Sequence, residues 1–292
     1  MEWIRLLMLG TVTSVVVFGN PTLELEQLRE KGKQLGWTFE MGLTPLALSK
    51  PDGCSLKHIP GMDKDAEVWR PSQRILPAKW DWREQGVISP IKDQAFPKYC
   101  GSCWAFGTVA SLEAVIKIAT GQDVDIAEQQ LVRCQPSYGT CSGGNFAFGF
   151  YKQKGANHEA DFPYQAAAVA CKTQAPPYEK VKSWGYVGSH NRGASVEQIK
   201  AAIYELGPIA VTVSASGAWK YYKSGVYNEC NSNSINHIVA LVGYNDEEQA
   251  WILTNSHGTE WGEQGYMRLK YKGSNGGKCN NVGASAAYVQ YQ

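Results

Sequence analysis

Apolar residues recur at helical spacing at Ala105, Val109, Leu112, Ile116 and Ala119, and Gly121 follows where a left-handed cap closes a helix. The pattern predicts a helix beginning at Ser102 or Cys103. Weaker periodicity predicts a helix over 23–35 and a short one over 127–134. A fourth is predicted over 195–206, with Ser195 as cap, Gln198 at the capping-box position and Gly207-Pro208 as the stop. Beyond it the period changes. Runs rich in β-branched and aromatic residues at 209–213, 237–242, 250–253, 266–271 and 286–291 predict strands. Helices first and strands later predict an α+β chain with a helical half and a sheet half.

The N-terminal stretch is patterned differently. Arg5 precedes a mostly apolar run from Leu6 to Phe18, and Gly19-Asn20 follow. That is the layout of a cleavable signal peptide rather than a membrane anchor, because the run is short of the roughly 20 apolar residues a bilayer span needs. Residues 1–20 are therefore expected to be removed, leaving a product in the secretory pathway with no membrane association. Residues 21–75 have weak periodicity and several Pro and Gly residues, and are read as a pro-segment. At Ile75-Leu76-Pro77 the character changes to a denser, aromatic-rich region, and 76–292 is read as the mature part.

Composition adds limits. The chain has 292 residues, 43% hydrophobic and 19% charged, as an ordinary globular protein of one or two domains does. A formal charge of +1 gives no electrostatic footprint for nucleic acid. Eight cysteines behind such a leader point to an oxidising compartment, although their count leaves the connectivity open.

The candidate chemistry lies at the start of the predicted central helix, in Cys100-Gly101-Ser102-Cys103-Trp104. A helix N-terminus stabilises an anion, so Cys103 is placed to be a thiolate near neutral pH. Five histidines are available to pair with it. His58 falls in the pro-segment, His158 and His190 lie in polar stretches, and His257 follows Asn255. His237 opens an apolar strand that can hold its ring rigid. Asn255 can accept from the second ring nitrogen and fix the tautomer, and Gln94 can donate its amide to a developing oxyanion beside the N–H of Cys103.

These residues resemble the papain-like cysteine peptidases, whose signature C-G-[SA]-C-[WY] is followed by His and Asn roughly 130–150 residues downstream. The resemblance covers residues 76–292 and extends to Asp81-Trp82-Arg83, Cys141-Ser142-Gly143-Gly144, Gly207-Pro208 and Trp261-Gly262-Glu263-Gln264-Gly265-Tyr266. It implies a helical left lobe, about 85–185, carrying Cys103. A β-barrel-like right lobe, about 186–292, would carry His237 and Asn255, with substrate in the cleft between. It implies the disulfides Cys100–Cys141, Cys134–Cys171 and Cys230–Cys279. It places Gly143, Gly144, Asn145, Phe146, Thr212, Ile235, Asn236 and Trp261 along the substrate path, with core packing the other reading of Phe146 and Ile235. The implied activity is peptide hydrolysis through a thioester on Cys103, by a monomer made as a zymogen. No metal or cofactor is needed. The implied partners are peptide or protein substrates, its own pro-segment as inhibitor, and cystatin-like inhibitors. The destination is a lysosome-like vacuole or the extracellular space.

Three departures qualify the resemblance. Ala95-Phe96-Pro97-Lys98-Tyr99 is an insertion similar to the mini-loop of cathepsin X, a carboxypeptidase, but Ala95 replaces the histidine that would bind a substrate carboxylate, with Lys98 as a substitute charge. An endopeptidase is expected, a carboxypeptidase being the alternative. His257 stands where the family carries a tryptophan, which predicts a wetter Asn255–His237 contact and activity lost on His257 protonation. Cys54 in the pro-segment is a candidate for a reversible disulfide with Cys103, the alternative being an unpaired or differently paired thiol. Two other classes remain on the sequence: a dithiol redox motif at Cys100-x-x-Cys103, and a secreted scaffold that has lost catalysis.

Overall fold

The structure, a computed structural model, describes residues 20–49, 55–57, 63–167, 169–171, 179–188, 193–231 and 234–291. The expected signal peptide, His58, His190 and Cys54 lie outside the described residues, apart from Asn20. The segment expected to be a pro-segment, residues 21–75, supplies α1 (Pro21–Leu35), β1 (Glu40–Met41), α2 (Pro45–Leu48) and β2 (Glu67–Trp69). Helix α1 starts earlier than its periodicity predicts because Asn20 accepts from the N–H groups of Thr22 and Leu23 and Pro21 is pre-set for the first turn.

The remainder runs β3 (Lys79–Asp81), α3 (Cys103–Thr120), α4 (Glu128–Cys134), β4 (Gly139–Thr140), β5 (Gly143–Gly144), α5 (Phe148–Lys154), β6 (Val181–Val187) and α6 (Val196–Leu206). It continues β7 (Ile209–Val213), β8 (Tyr222–Ser224), β9 (Val226–Tyr227), β10 (His237–Asn245), β11 (Ala250–Thr254), β12 (Tyr266–Lys270) and β13 (Ala286–Tyr291). The four predicted helices and five predicted strands are present, with ends shifted by a few residues. Gly121 takes the left-handed cap of α3 at φ 75°, and α6 carries the predicted capping box. Among the elements the pattern does not predict, most are strands or turns of helix of two to four residues, too short to show a period; the longer ones are α5, where Gly149 and three aromatics disguise a helix, and β6, where Lys182, Ser183 and Gly185 break the strand signature.

A mixed nine-stranded sheet runs β2-β6-β13-β7-β10-β11-β12-β9, with β3 paired to β10. Strand β10 is apolar without alternation because both its faces are covered, and α3 and α6 both pack against it. One core joins Trp104, Leu112, Leu131 and Phe148 of the helical lobe to Trp184, Ile238 and Val289. The other lies in the sheet lobe around Val211, Tyr244, Trp251 and Leu269. The expected boundary at 185/186 falls inside β6, whose Trp184 and Tyr186 face the first core while Val187 faces the second.

The three implied disulfides are formed, with sequence separations of 41, 37 and 49 residues. In the chain-entropy model each contributes roughly 4 kcal/mol. Helix α3 meets the sheet closely at one point. A Cβ on Gly107 would lie 2.6 Å from Cγ2 of Ile238, the residue after His237, so the bare glycine sets how near the start of α3 comes to the start of β10.

Candidate active site

Cys103 is the first residue of α3 and is completely buried. The chain is pinned on its way into the helix. Cys100 is bonded to Cys141, the Gly101 N–H donates to the Cys141 carbonyl at 2.8 Å, and a Cβ on Gly101 would meet that oxygen at 2.7 Å. Ser102, at the N-cap, makes no side-chain cap bond, so the positive end of the helix dipole is left uncompensated beside the sulfur. Cys103 is itself disulfide-bonded in this state, and its bond is not to Cys100.

His237 opens β10 and is buried, with Nε2 2.8 Å from Asn255 Oδ1. The same oxygen accepts the Ser256 N–H at 2.9 Å, which fixes the amide orientation. An amide oxygen only accepts, so Nε2 carries the hydrogen and Nδ1 keeps the lone pair a base needs. Burial lowers the His237 pKa to about 4, and the Asn255 bond opposes part of that shift. With the sulfur in a disulfide, no thiolate stands by to stabilise an imidazolium, and the ring is neutral.

His257 stacks on His237, ring centroids 5.3 Å apart and planes within 6°, and meets Trp261 edge-on. Its Nδ1 is buried without a hydrogen-bond partner. Burial, and then the neighbouring His237, hold its pKa well below 6.5. One expectation is corrected here: the Asn255–His237 bond, expected to be the more open to solvent, joins buried side chains.

Gln94 is also buried, and hydrogen bonds to both lobes hold it. Its N–H donates to the Ser256 carbonyl at 2.9 Å, its Oε1 accepts from the Ser256 hydroxyl at 2.7 Å, and its Nε2 donates to the Cys100 carbonyl at 3.0 Å. One Nε2 hydrogen remains for an oxyanion. Two residues earlier, Lys92 Nζ reaches Glu113 and Glu128 at 2.9 Å and Asp125 at 2.7 Å. The carboxylates hold the ammonium charged, while burial raises the pKa values of Glu113 and Glu128. Sequence reasoning missed Ser256, and also Tyr164, whose hydroxyl donates to the Gln94 carbonyl at 2.9 Å. Ser256 could have been suspected from its place beside Asn255; no local signal marks Tyr164.

Three of the residues expected along the substrate path, Gly143, Gly144 and Asn145, lie against residues 55–57. The Lys57 N–H donates to the Gly144 carbonyl at 3.2 Å, Asn145 Nδ2 donates to the Lys57 carbonyl at 3.1 Å, and Leu56 bridges Gly144 in parallel register. At Gly143, φ 106°, a Cβ would stand 1.8 Å from the Ser55 carbonyl oxygen, an approach only glycine permits. Thr212 is buried and bonded to the Ser285 backbone, and Asn236 turns its amide onto the Ala215 backbone at 2.8 and 3.2 Å. Ile235 is half-buried. Phe146 and Trp261 depart from the expected lining: both are completely buried, Phe146 beside Tyr186 and Trp261 with its indole N–H on the Trp219 carbonyl. They are core residues in this state.

A cysteine at a helix mouth, a histidine aligned by an asparagine on the sheet and a buried glutamine hydrogen-bonded to both lobes match a two-lobed thiol-hydrolase architecture. A profile of the papain family cysteine proteases matches residues 76–289, and the chain belongs to that family. It is 37% identical to germination-specific cysteine protease 1 of Arabidopsis thaliana over 74% of this chain, spanning 58% of the length of that relative. It is 32% identical to digestive cysteine proteinase 2 of Homarus americanus, over 89% of this chain and 83% of the relative. The solved structure of digestive procathepsin L2 proteinase from Tenebrio molitor larval midgut superposes with a TM-score of 0.79 at 29% identity, covering 92% of this chain and 90% of that one.

Proposed function

We propose that the chain is the zymogen of a secretory-pathway cysteine endopeptidase, with residues 1–20 removed as a signal peptide, 21–75 as the pro-segment and 76–292 the mature enzyme. Its destination is a lysosome-like vacuole or the extracellular space. The observation that carries the reading is the His237–Asn255 pair, which leaves Nδ1 as base while Cys103 begins α3. Once reduced, Cys103 gives its proton to His237 and attacks the substrate carbonyl. The oxyanion is received by the Cys103 N–H and the second Gln94 Nε2 hydrogen. The imidazolium then protonates the leaving amine as the C–N bond breaks, forming a thioester. Water, deprotonated by His237, attacks the thioester and releases the acid and the thiol.

Residues 55–57 of the pro-segment bond to Gly144 and Asn145, where an extended substrate would pair, so their removal is part of activation. The test is hydrolysis by the activated chain of a peptide blocked at both ends, against the same peptide with a free C-terminal carboxylate, with E-64 labelling of Cys103 as control. Turnover of the blocked peptide and stoichiometric labelling are expected. A strict need for the free carboxylate would make the enzyme a carboxypeptidase, and absence of labelling would leave an inactive scaffold.

A further inference from the structure

Gln94 is fixed by neighbours from three parts of the chain: Ser256, Cys100 and Tyr164. Tyr164, in the helical lobe, donates its hydroxyl to the Gln94 carbonyl at 2.9 Å. That donation uses its one hydrogen, so the 2.6 Å contact between Tyr164 and Ser102 has the Ser102 hydroxyl as donor. One phenol oxygen thus ties the backbone of Gln94 to the residue before the nucleophile. The ring cannot drift. It packs edge-on against Phe106 of α3, centroids 4.9 Å apart, and its own N–H is held by Glu159 at 2.6 Å.

An oxyanion hole depends on the separation of its two donors, because both must point at one atom as charge develops there. The two donors here are carried by Cys103 and Gln94. Gln94 directly precedes the loop 95–99 and Cys103 follows it after Cys100-Gly101-Ser102, and Phe96 of that loop is 73% exposed and so contributes no core packing to hold their separation. Ser256 and Cys100 restrain the Gln94 side chain, and Tyr164 restrains its carbonyl against Ser102.

We infer that Tyr164 is a positioning residue of the oxyanion hole, holding the Gln94 donor at a fixed distance from the Cys103 N–H. This rests on the peptidase reading above. A purely structural tyrosine would affect folding and leave the chemistry of Gln94 alone, so the two roles separate experimentally.

The experiment is a double-substitution cycle on the full chain, activated after purification, with Tyr164→Phe, Gln94→Ala and the pair, assayed on a peptide amide. Denaturation midpoints and the pH dependence of Cys103 alkylation by iodoacetamide are measured alongside. Tyr164→Phe is expected to lower kcat about tenfold, less than deletion of a donor does, with KM within about twofold. In the Gln94→Ala background the same substitution is expected to have almost no effect, because the group it positions is gone. The alkylation profile should match the parent. A full tenfold loss in the Gln94→Ala background, an altered alkylation profile or an unchanged kcat would each overturn the inference. If Gln94→Ala alone leaves kcat untouched, the oxyanion assignment falls and the inference with it. A parent chain that labels with E-64 but hydrolyses no peptide would sink both.

Discussion

His237 in the disulfide-held state is a neutral ring among aromatic neighbours, with Trp219 edge-on at 6.2 Å and His257 stacked at 5.3 Å. The unfolded chain protonates this histidine near 6.5, whereas the folded chain resists protonation down to about 4. Stability from this group is therefore full above about 6.5 and is lost as pH falls toward 4, on the order of 3 kcal/mol. Urea unfolding of the precursor and of His237→Gln at pH 7 and pH 4.5 checks this. The parent should lose stability between the two pH values by an increment that the variant lacks, and equal losses would contradict the buried neutral ring. That Cys103 begins a helix, that His237 opens a strand and that Asn255 can bond its ring were legible, because each rests on a short motif or a strand end. The state of His257 was not, since burial and then the neighbouring His237 lower its pKa, and both arise only through folding.

At the scale of elements, the helix–sheet contact at Gly107 governs how the two catalytic elements meet. Alanine favours a helix over glycine by about 1 kcal/mol, yet a Cβ at Gly107 would sit 2.6 Å from a buried, β-branched side chain with little freedom at χ1. Overpacking of this kind costs about 1–3 kcal/mol and would push α3 from β10. Gly107→Ala is expected to lower the thermal midpoint and kcat/KM, and Ile238→Ala in the same chain is expected to restore part of both. Additive losses would place the strain elsewhere. The helix itself was predictable from its apolar spacing and glycine cap. The need for glycine at 107 was invisible, because the atom it avoids belongs to a strand more than a hundred residues away.

In the whole molecule, the pro-segment wraps the mature part at three places. Helix α1 and strand β1 dock on the sheet lobe, where Glu40–Met41 pairs with Tyr222–Ser224 and Glu24 bonds Lys220 at 2.9 Å. Residues 55–57 cross the glycines of the cleft, and β2 completes the sheet edge beside β6, where a Cβ on Gly185 would lie 2.1 Å from the Glu67 carbonyl oxygen. With Cys103 disulfide-bonded beneath this wrap, peptide mapping of the unreduced chain should find it unmodified by iodoacetamide and modified after reduction. Alkylation without reductant would refute the blocked state. By itself the sequence determined the class, the central helix and the five longer strands of the C-terminal half, because these follow from local periodicity and from motifs fixed in spacing, and the three disulfides were legible only through the family resemblance. Only the tertiary structure decided that Phe146 and Trp261 are core, that residues 55–57 lie against Gly143 and Gly144, and that Tyr164 touches Gln94. Those facts depend on which distant surfaces meet, and a one-dimensional pattern carries no record of such contacts.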